Sequence, residues 1–430
     1  MSGYEKYLLS DNPFPEMAVI DPYSKDDRIN GCIFQEAIFE KEIESLEVKT
    51  ERGLNLVYLS GIEHDKGIGK SALLINQWRK CIEIPNSTSI YIRCDEKDKP
   101  KDICSKIICV WHQEEIIWDI FKQCLISYAE DRRDPLLAPD AVRFLFDSLG
   151  GMPDRLPLTL YTQVRDEQVL AEGISKYLED KCGIDSDNLV SLLGYYLSDT
   201  IDFPSSLNSR KIDPIEVFGD LVKIFEDHGY ERHYVFLDQF EDMIIGTQKR
   251  GIGSFCLAFK KVILNAKGRV SFFVTLHPNS EMLLKIPEAR DLTGIAPLNM
   301  VHRVDVMVLD AKGDKAVKLA EKYFNHFRTD DPPYTTFPVE KGLVDLICYL
   351  ERGNIRRFLQ QMHYCIEHGV YMGLPEITLD YALENPSEVF GREVNKRVLD
   401  RFDVLTGRQR KSSRSIEGLI SKFKKRDRIG

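Results

Sequence analysis

Residues 67–72 (Gly67, Ile68, Gly69, Lys70, Ser71, Ala72) have types and spacing suited to binding phosphate. The glycines leave successive backbone N–H groups clear of side chains, so these can wrap phosphate oxygens, and a helix opening at Lys70 points its positive end at the same place. Lys70 suits the β- and γ-phosphates, and the Ser71 hydroxyl suits Mg²⁺. ATP and Mg²⁺ are therefore the expected cofactors. The spacing departs from G-x-x-x-x-G-K-[ST] in one respect: His64 stands five residues before Gly69, and the glycine after the preceding apolar run is Gly61. The loop is thus about three residues longer than the usual form.

A second stretch, residues 233–242, is apolar and ends in Asp238, Gln239, Phe240, Glu241 and Asp242. An acid at the tip of a buried strand beside a phosphate loop can hold the water shell of Mg²⁺, which makes Asp238 a metal ligand alongside Ser71. The residue that commonly polarises the attacking water comes directly after that acid. Here it is Gln239, which can orient water but cannot accept a proton. Glu241 is the next candidate base, with Asp242 behind it. Residues 269–277 form another apolar run with a polar end, where a side chain can sit between the acidic strand and the γ-phosphate; His277 is the first candidate and Thr275 the second. Arg356, with Arg357 beside it, is placed to reach back to the phosphates from a later helix.

These groups need a scaffold, and the apolar runs supply one. Residues 56–59, 89–93, 233–238, 269–277 and 303–309 read as strands, with helical patterns between them at 103–130, 215–228 and 251–265. The expected fold class is α/β, a parallel sheet covered on both faces, with a P-loop between its first strand and the following helix. Trp111 and Trp118 read as core residues rather than base-stacking platforms. Residues 1–50 read as an N-terminal segment packed on the nucleotide domain, with a helix over 34–48. The turn at 26–31 can either cover an adenine or simply connect. The nucleotide domain spans 51–310 and is interrupted at about 131–213 by a helical insertion without a chemical motif. A helical lid follows at 311–385, with helices over 312–327, 339–351 and 354–368, and then a basic tail at 386–430.

The net charge of −10 conceals an asymmetry: residues 392–430 hold thirteen Lys or Arg against five Asp or Glu, a net of +8, which leaves −18 for the first 391. Ile416, Leu419, Ile420 and Phe423 give the tail a basic amphipathic helix pattern, suited to nucleic acid, an anionic membrane surface or an acidic protein. No apolar run approaches the roughly 18 residues of a membrane span, and the start is too charged for a secretory signal, so a cytoplasmic protein is expected. The ten cysteines are scattered singly, without zinc-type spacing, as in a reducing compartment.

With these residues in hand, the order of parts resembles the AAA+ and STAND P-loop ATPases, near the archaeal and eukaryotic origin-recognition branch, over about residues 25–370. The stretch from Leu237 to Glu241 is similar to the DQFE form of the Walker B motif, and the stretch from Gly353 to Leu359 resembles the GNxRxxL sensor-2 motif. The resemblance implies Walker A roles for Lys70 and Ser71 and Walker B roles for Asp238 and Glu241. It puts His277 at sensor 1, where the group usually has Asn, Thr or Arg, and Arg356 at sensor 2. It also implies an arginine finger, at Arg290 or Arg303, and an oligomer or complex subunit. The implied function is an ATP-dependent switch in a nucleic-acid process such as replication initiation, mobile-element targeting or antiviral defence. The alternative is a non-hydrolysing, nucleotide-stabilised adaptor that binds a protein partner through its insertion.

Overall fold

The computed structural model describes residues 3–54, 56–61, 66–117, 119–121, 123–124, 177–184, 207, 212–246, 251–266, 268–276, 301–307, 309 and 314–407. Expectations at His64, Trp118, His277, Arg290, most of the insertion and the amphipathic tail fall outside these residues. The chain divides into two compact units, one of residues 39–307 and one of residues 1–38 with 308–430.

In the first unit, α1 (Glu40–Glu51) precedes β1 (Leu56–Gly61), α2 (Lys70–Ile82), β2 (Ser87–Arg93) and α3 (Pro100–Gln113). After the insertion come α4 (Pro214–Asp227), β3 (Arg232–Asp238), α5 (Phe240–Gly246), α6 (Ile252–Asn265), β4 (Val270–Leu276) and β5 (Val301–Val306). The strands form one sheet in the order β2-β3-β4-β1-β5, and every pairing is parallel. This is the expected α/β fold, a parallel sheet with the glycine-bearing loop between its first strand and the following helix. The strands are near-continuous apolar runs because both faces are covered. On one face Ile90, Ile92, Val235, Leu237, Phe272 and Val274 pack under α3, α4 and α6. The other face carries Phe236 stacked on Phe273 at 4.8 Å, and Tyr91 against Trp78 of α2 at 5.6 Å.

Two local features set the element ends. Asp213 caps α4 by accepting from the Ile215 N–H at 3.0 Å, with Pro214 in the first turn, where a missing N–H costs nothing. The long helix expected over 103–130 stops at Gln113, and Glu115 takes a left-handed φ of 62° just after it. Trp111 is fully buried and stacks on Phe218 at 5.7 Å, which is the core role expected of it.

The second unit contains α7 (Lys315–Phe327), α8 (Lys341–Leu350), α9 (Ile355–Tyr371), α10 (Leu379–Glu384), α11 (Pro386–Phe390) and α12 (Lys396–Thr406). The chain start folds with these helices. Phe14 is fully buried, 5.5 Å from Tyr323 and 5.0 Å from Phe324, and Tyr7 donates its hydroxyl to the Leu374 carbonyl at 2.9 Å. Of the N-terminal segment expected on the nucleotide domain, only the part from Phe39 onward belongs to the sheet unit, where α1 packs on α2 and β5. The start of α9 shows why its motif begins Gly-Asn. Gly353 has φ 70°, its carbonyl accepts from the Leu309 N–H at 3.0 Å, and a Cβ there would overlap the Leu309 carbonyl oxygen. Asn354 then caps the helix, its side chain accepting from the Arg357 N–H at 3.1 Å.

Candidate nucleotide site

The strand order brings the site together. β4 lies between β1, which leads into the phosphate loop, and β3, which ends in Asp238, so the tip of β4 opens onto both. Gly67 and Gly69 have φ values of 82° and 95°, the left-handed region that glycine enters without strain, and Ile68 between them is buried and anchors the loop. No side chain caps α2, so its first-turn N–H groups at Lys70, Ser71 and Ala72 are not satisfied by a capping residue. Such a helix start is suited to an anion. Lys70 as a residue is 7% exposed.

Asp238 is the hub. Its Oδ1 accepts from Ser71 Oγ at 2.9 Å and from the Gln239 N–H at 3.0 Å, while its Oδ2 accepts from the Tyr91 hydroxyl at 2.8 Å. Ser71 and Asp238, the two expected Mg²⁺ ligands, are thus in direct contact, and both offer oxygen donors of the kind that ion takes. Thr275 Oγ accepts from the Gln239 N–H at 2.8 Å and lies 3.3 Å from Asp238 Oδ1 and 3.1 Å from Glu241 Oε2. A hydroxyl has one proton to give, so at any moment Thr275 donates to only one of these two carboxylates.

Gln239 and Glu241 diverge. Gln239 has φ 57°, and its side-chain oxygen accepts from Arg93 Nε at 3.0 Å at the exposed edge of the site. Glu241 is 5% exposed and turned to Thr275. Burial pushes its carboxyl up to about 7; Lys70 opposes the shift and the Asp238 charge adds to it. A carboxyl poised near neutrality in a closed site is suited to proton transfer.

Arg356, on the first turn of α9, donates Nε to the Ala18 carbonyl at 3.1 Å within its own unit. Arg303 on β5 pairs with Asp305 at 2.5 Å. The first-choice sensor residue, His277, lies outside the described residues, whereas the second choice, Thr275, is in the cluster. Sequence reasoning missed Tyr91 and Arg93. The available signal was a strand ending Tyr-Ile-Arg, whose tip residues reach the acidic strand only if β2 and β3 are neighbours.

The chain matches no protein-family model and no curated protein sequence. Among solved structures it is similar to the Walker-type ATPase PABY2304 of Pyrococcus abyssi, at 15% identity over 90% of this chain and 75% of that one, with a TM-score of 0.38. It is also similar to the Aeropyrum pernix ORC1 protein in complex with DNA, at 12% identity over 91% and 86% of the two chains, with a TM-score of 0.40. For the Aeropyrum pernix ORC2 protein in ADPNP–ADP complexes the identity is 13% over 87% and 74%, with a TM-score of 0.42.

Proposed function

We propose that the chain binds ATP with Mg²⁺ and hydrolyses it, with Glu241 rather than Gln239 as the carboxylate that polarises the attacking water. The observation that carries this reading is the divergence of the two side chains: Glu241 is buried on Thr275 near Lys70 and Asp238, while Gln239 is paired outward with Arg93. Mg²⁺ held by Ser71 and Asp238 would supply positive charge that neutralises the phosphates. The chain's own residues do the rest. The backbone at 67–72 and Lys70 would bind the phosphates, and Ser71 and Asp238 would offer oxygens to the metal. Thr275 orients Glu241, which takes the proton from water.

Hydrolysis of this kind serves a switch, in which the lid unit that carries Arg356 responds to the nucleotide. A nucleic acid is the partner we assign to it, supported by the net charge of +8 on residues 392–430. Assembly as an oligomer or complex subunit belongs to the same reading. The test is steady-state ATP turnover of the full chain and of Lys70→Ala and Glu241→Gln, with and without DNA at several salt concentrations. Turnover lost in both variants, and DNA affinity that falls with salt, support the proposal. ATP held without turnover in the wild type would sink the hydrolytic half and favour the nucleotide-stabilised adaptor that binds a protein through its insertion. Absent or salt-independent DNA affinity would sink the nucleic-acid half.

A further inference from the structure

The second unit carries a side-chain group that the nucleotide reading does not use. Asp27 and Cys32, from one loop, and His326, from the last turn of α7, each offer one ligand atom, and the three atoms lie within 4.8 Å of one another. His326 Nε2 is 2.9 Å from Asp27 Oδ2, across 299 positions of sequence. Carboxylate, thiolate and imidazole together form a mixed donor set characteristic of Zn²⁺, which takes three such ligands and water in a tetrahedron.

The loop is shaped to hold these donors. Asp27 Oδ1 accepts from Asn30 Nδ2 at 3.0 Å, which directs Oδ2 to His326. Asn30 Oδ1 in turn accepts from the Cys32 N–H at 2.8 Å, and the Cys32 thiol lies 3.5 Å from the Asp27 carbonyl, so the thiol is brought back beside the carboxylate's own residue. The nearby cation, Arg28, is matched by carboxylates: its Nε is 2.8 Å from Asp26 Oδ1 and its Nη1 is 3.0 Å from Asp11 Oδ2. The Tyr323 hydroxyl, also on α7, donates to the Arg28 carbonyl at 3.2 Å and keeps the loop against the helix. Metal–ligand bonds of about 2.0 to 2.3 Å put tetrahedral ligands roughly 3.3 to 3.7 Å apart. The observed His–Asp separation needs to open by only about half an ångström to reach that spacing.

We propose that Asp27, Cys32 and His326 form a Zn²⁺ site, with water as fourth ligand, that clips the N-terminal loop to α7. On binding, the Cys32 S–H bond breaks, sulfur keeps the electron pair and donates it to the metal, and the proton leaves to solvent. His326 binds through the Nε2 lone pair of its neutral ring, and Asp27 through an oxygen already ionised. No redox change is involved. The site lies wholly within one unit and is independent of the nucleotide reading, so either can fail without the other.

The test uses the full chain, free of nucleotide, titrated with Co²⁺ and then with Zn²⁺ as competitor. The expected result is one equivalent of Co²⁺ with a near-ultraviolet thiolate-to-cobalt band, displaced by Zn²⁺. Cys32→Ser abolishes the band, His326→Ala weakens Zn²⁺ binding on the order of tenfold or more, and Cys109→Ser changes neither. Zn²⁺ raises the melting temperature of the wild type but not of Cys32→Ser, and without metal the two melt alike. A band that survives in Cys32→Ser, equal Zn²⁺ affinity in wild type and both ligand variants, or no stoichiometric binding at all would overturn the site and leave an adventitious ion only. If His326→Ala fails to fold, His326→Gln takes its place with the same expected loss.

Discussion

Glu241→Gln should make the nucleotide-free protein more stable at alkaline pH while removing its turnover. The buried carboxyl titrates near 7 instead of 4.5, so charging it in the folded state costs about 3 kcal/mol, at 1.36 kcal/mol for each of about 2.5 pH units. The attraction of Lys70 is already contained in that value. Glutamine, a neutral isostere, therefore compares with the protonated acid. The sign follows from linkage. A group whose folded pKa is raised stabilises the fold fully below the unfolded value of 4.5, and loses that stabilisation as pH rises through the folded value near 7. The variant's advantage should be about 1 kcal/mol at pH 5.5 and about 3 kcal/mol at pH 8. For a unit of this size the larger figure is a rise in melting temperature of roughly 6 to 12 °C. Thermal melts without nucleotide or Mg²⁺ at the two pH values, paired with turnover at pH 8, read the effect. A variant no more stable than wild type at pH 8, or one whose gain is independent of pH, would refute a buried and strained carboxylate at this position.

Other side chains yield separate expectations. Tyr91→Phe removes the donor to Asp238 Oδ2, so it should raise the Mg²⁺ concentration needed for half-maximal turnover while lowering stability by only about 1 kcal/mol; a Mg²⁺ titration beside a melt separates the two effects. Gly353→Ala forces a Cβ into a left-handed residue pressed on the Leu309 carbonyl, and should destabilise the second unit by about 2 kcal/mol or more, visible as faster proteolysis of residues 308–407. His233 is buried on Trp111 and Phe225, its Nδ1 is 2.8 Å from Thr88 Oγ, and burial lowers its pKa to about 3, with Arg232 and Arg269 adding to the shift. Its contribution is full above the unfolded value of 6.5 and is lost as pH falls, by about 2 kcal/mol at pH 5. His233→Phe should flatten that acid limb in denaturant melts at pH 5 and pH 7.

How far the sequence could be read depended on the range of each interaction. The apolar runs at 56–59, 234–237 and 270–274 are long enough to announce buried parallel strands, and Gly67 to Ser71 announces a phosphate loop, because both signals lie within a few consecutive residues. The strand order is not local. Nothing in residues 270–276 says that β4 inserts between β1 and β3, so the contacts of Thr275 with Gln239, Asp238 and Glu241 could not be read there. Tyr91 and Arg93 were read as ordinary strand residues because their partners, Asp238 and Gln239, lie across a pairing of β2 with β3 that only the folded sheet defines. The fate of the chain start was hidden for the same reason. Phe14 and Tyr7 are simply apolar in sequence, and their partners Tyr323, Phe324 and Leu374 come more than three hundred residues later.

The two-residue displacement of the carboxylate follows from how β3 ends. The strand stops at Asp238, Gln239 turns the chain with φ 57°, and α5 begins at Phe240, which puts Glu241 in the first turn of a helix rather than on the strand. Position 239 is committed elsewhere by its backbone: its N–H is held by both Asp238 and Thr275, and its side chain leaves toward Arg93. A carboxylate restored there would therefore pair with Arg93 instead of facing the cluster around Thr275. Gln239→Glu combined with Glu241→Gln, which keeps one carboxylate and moves it to the conventional place, should stay as inactive as Glu241→Gln alone. Adding Arg93→Ala should not rescue it, since the left-handed backbone, not the arginine, sets the direction of the side chain. Recovery of turnover in the double variant would show that position 239 can reach the attacking water. The assignment of that role to Glu241 would then fall.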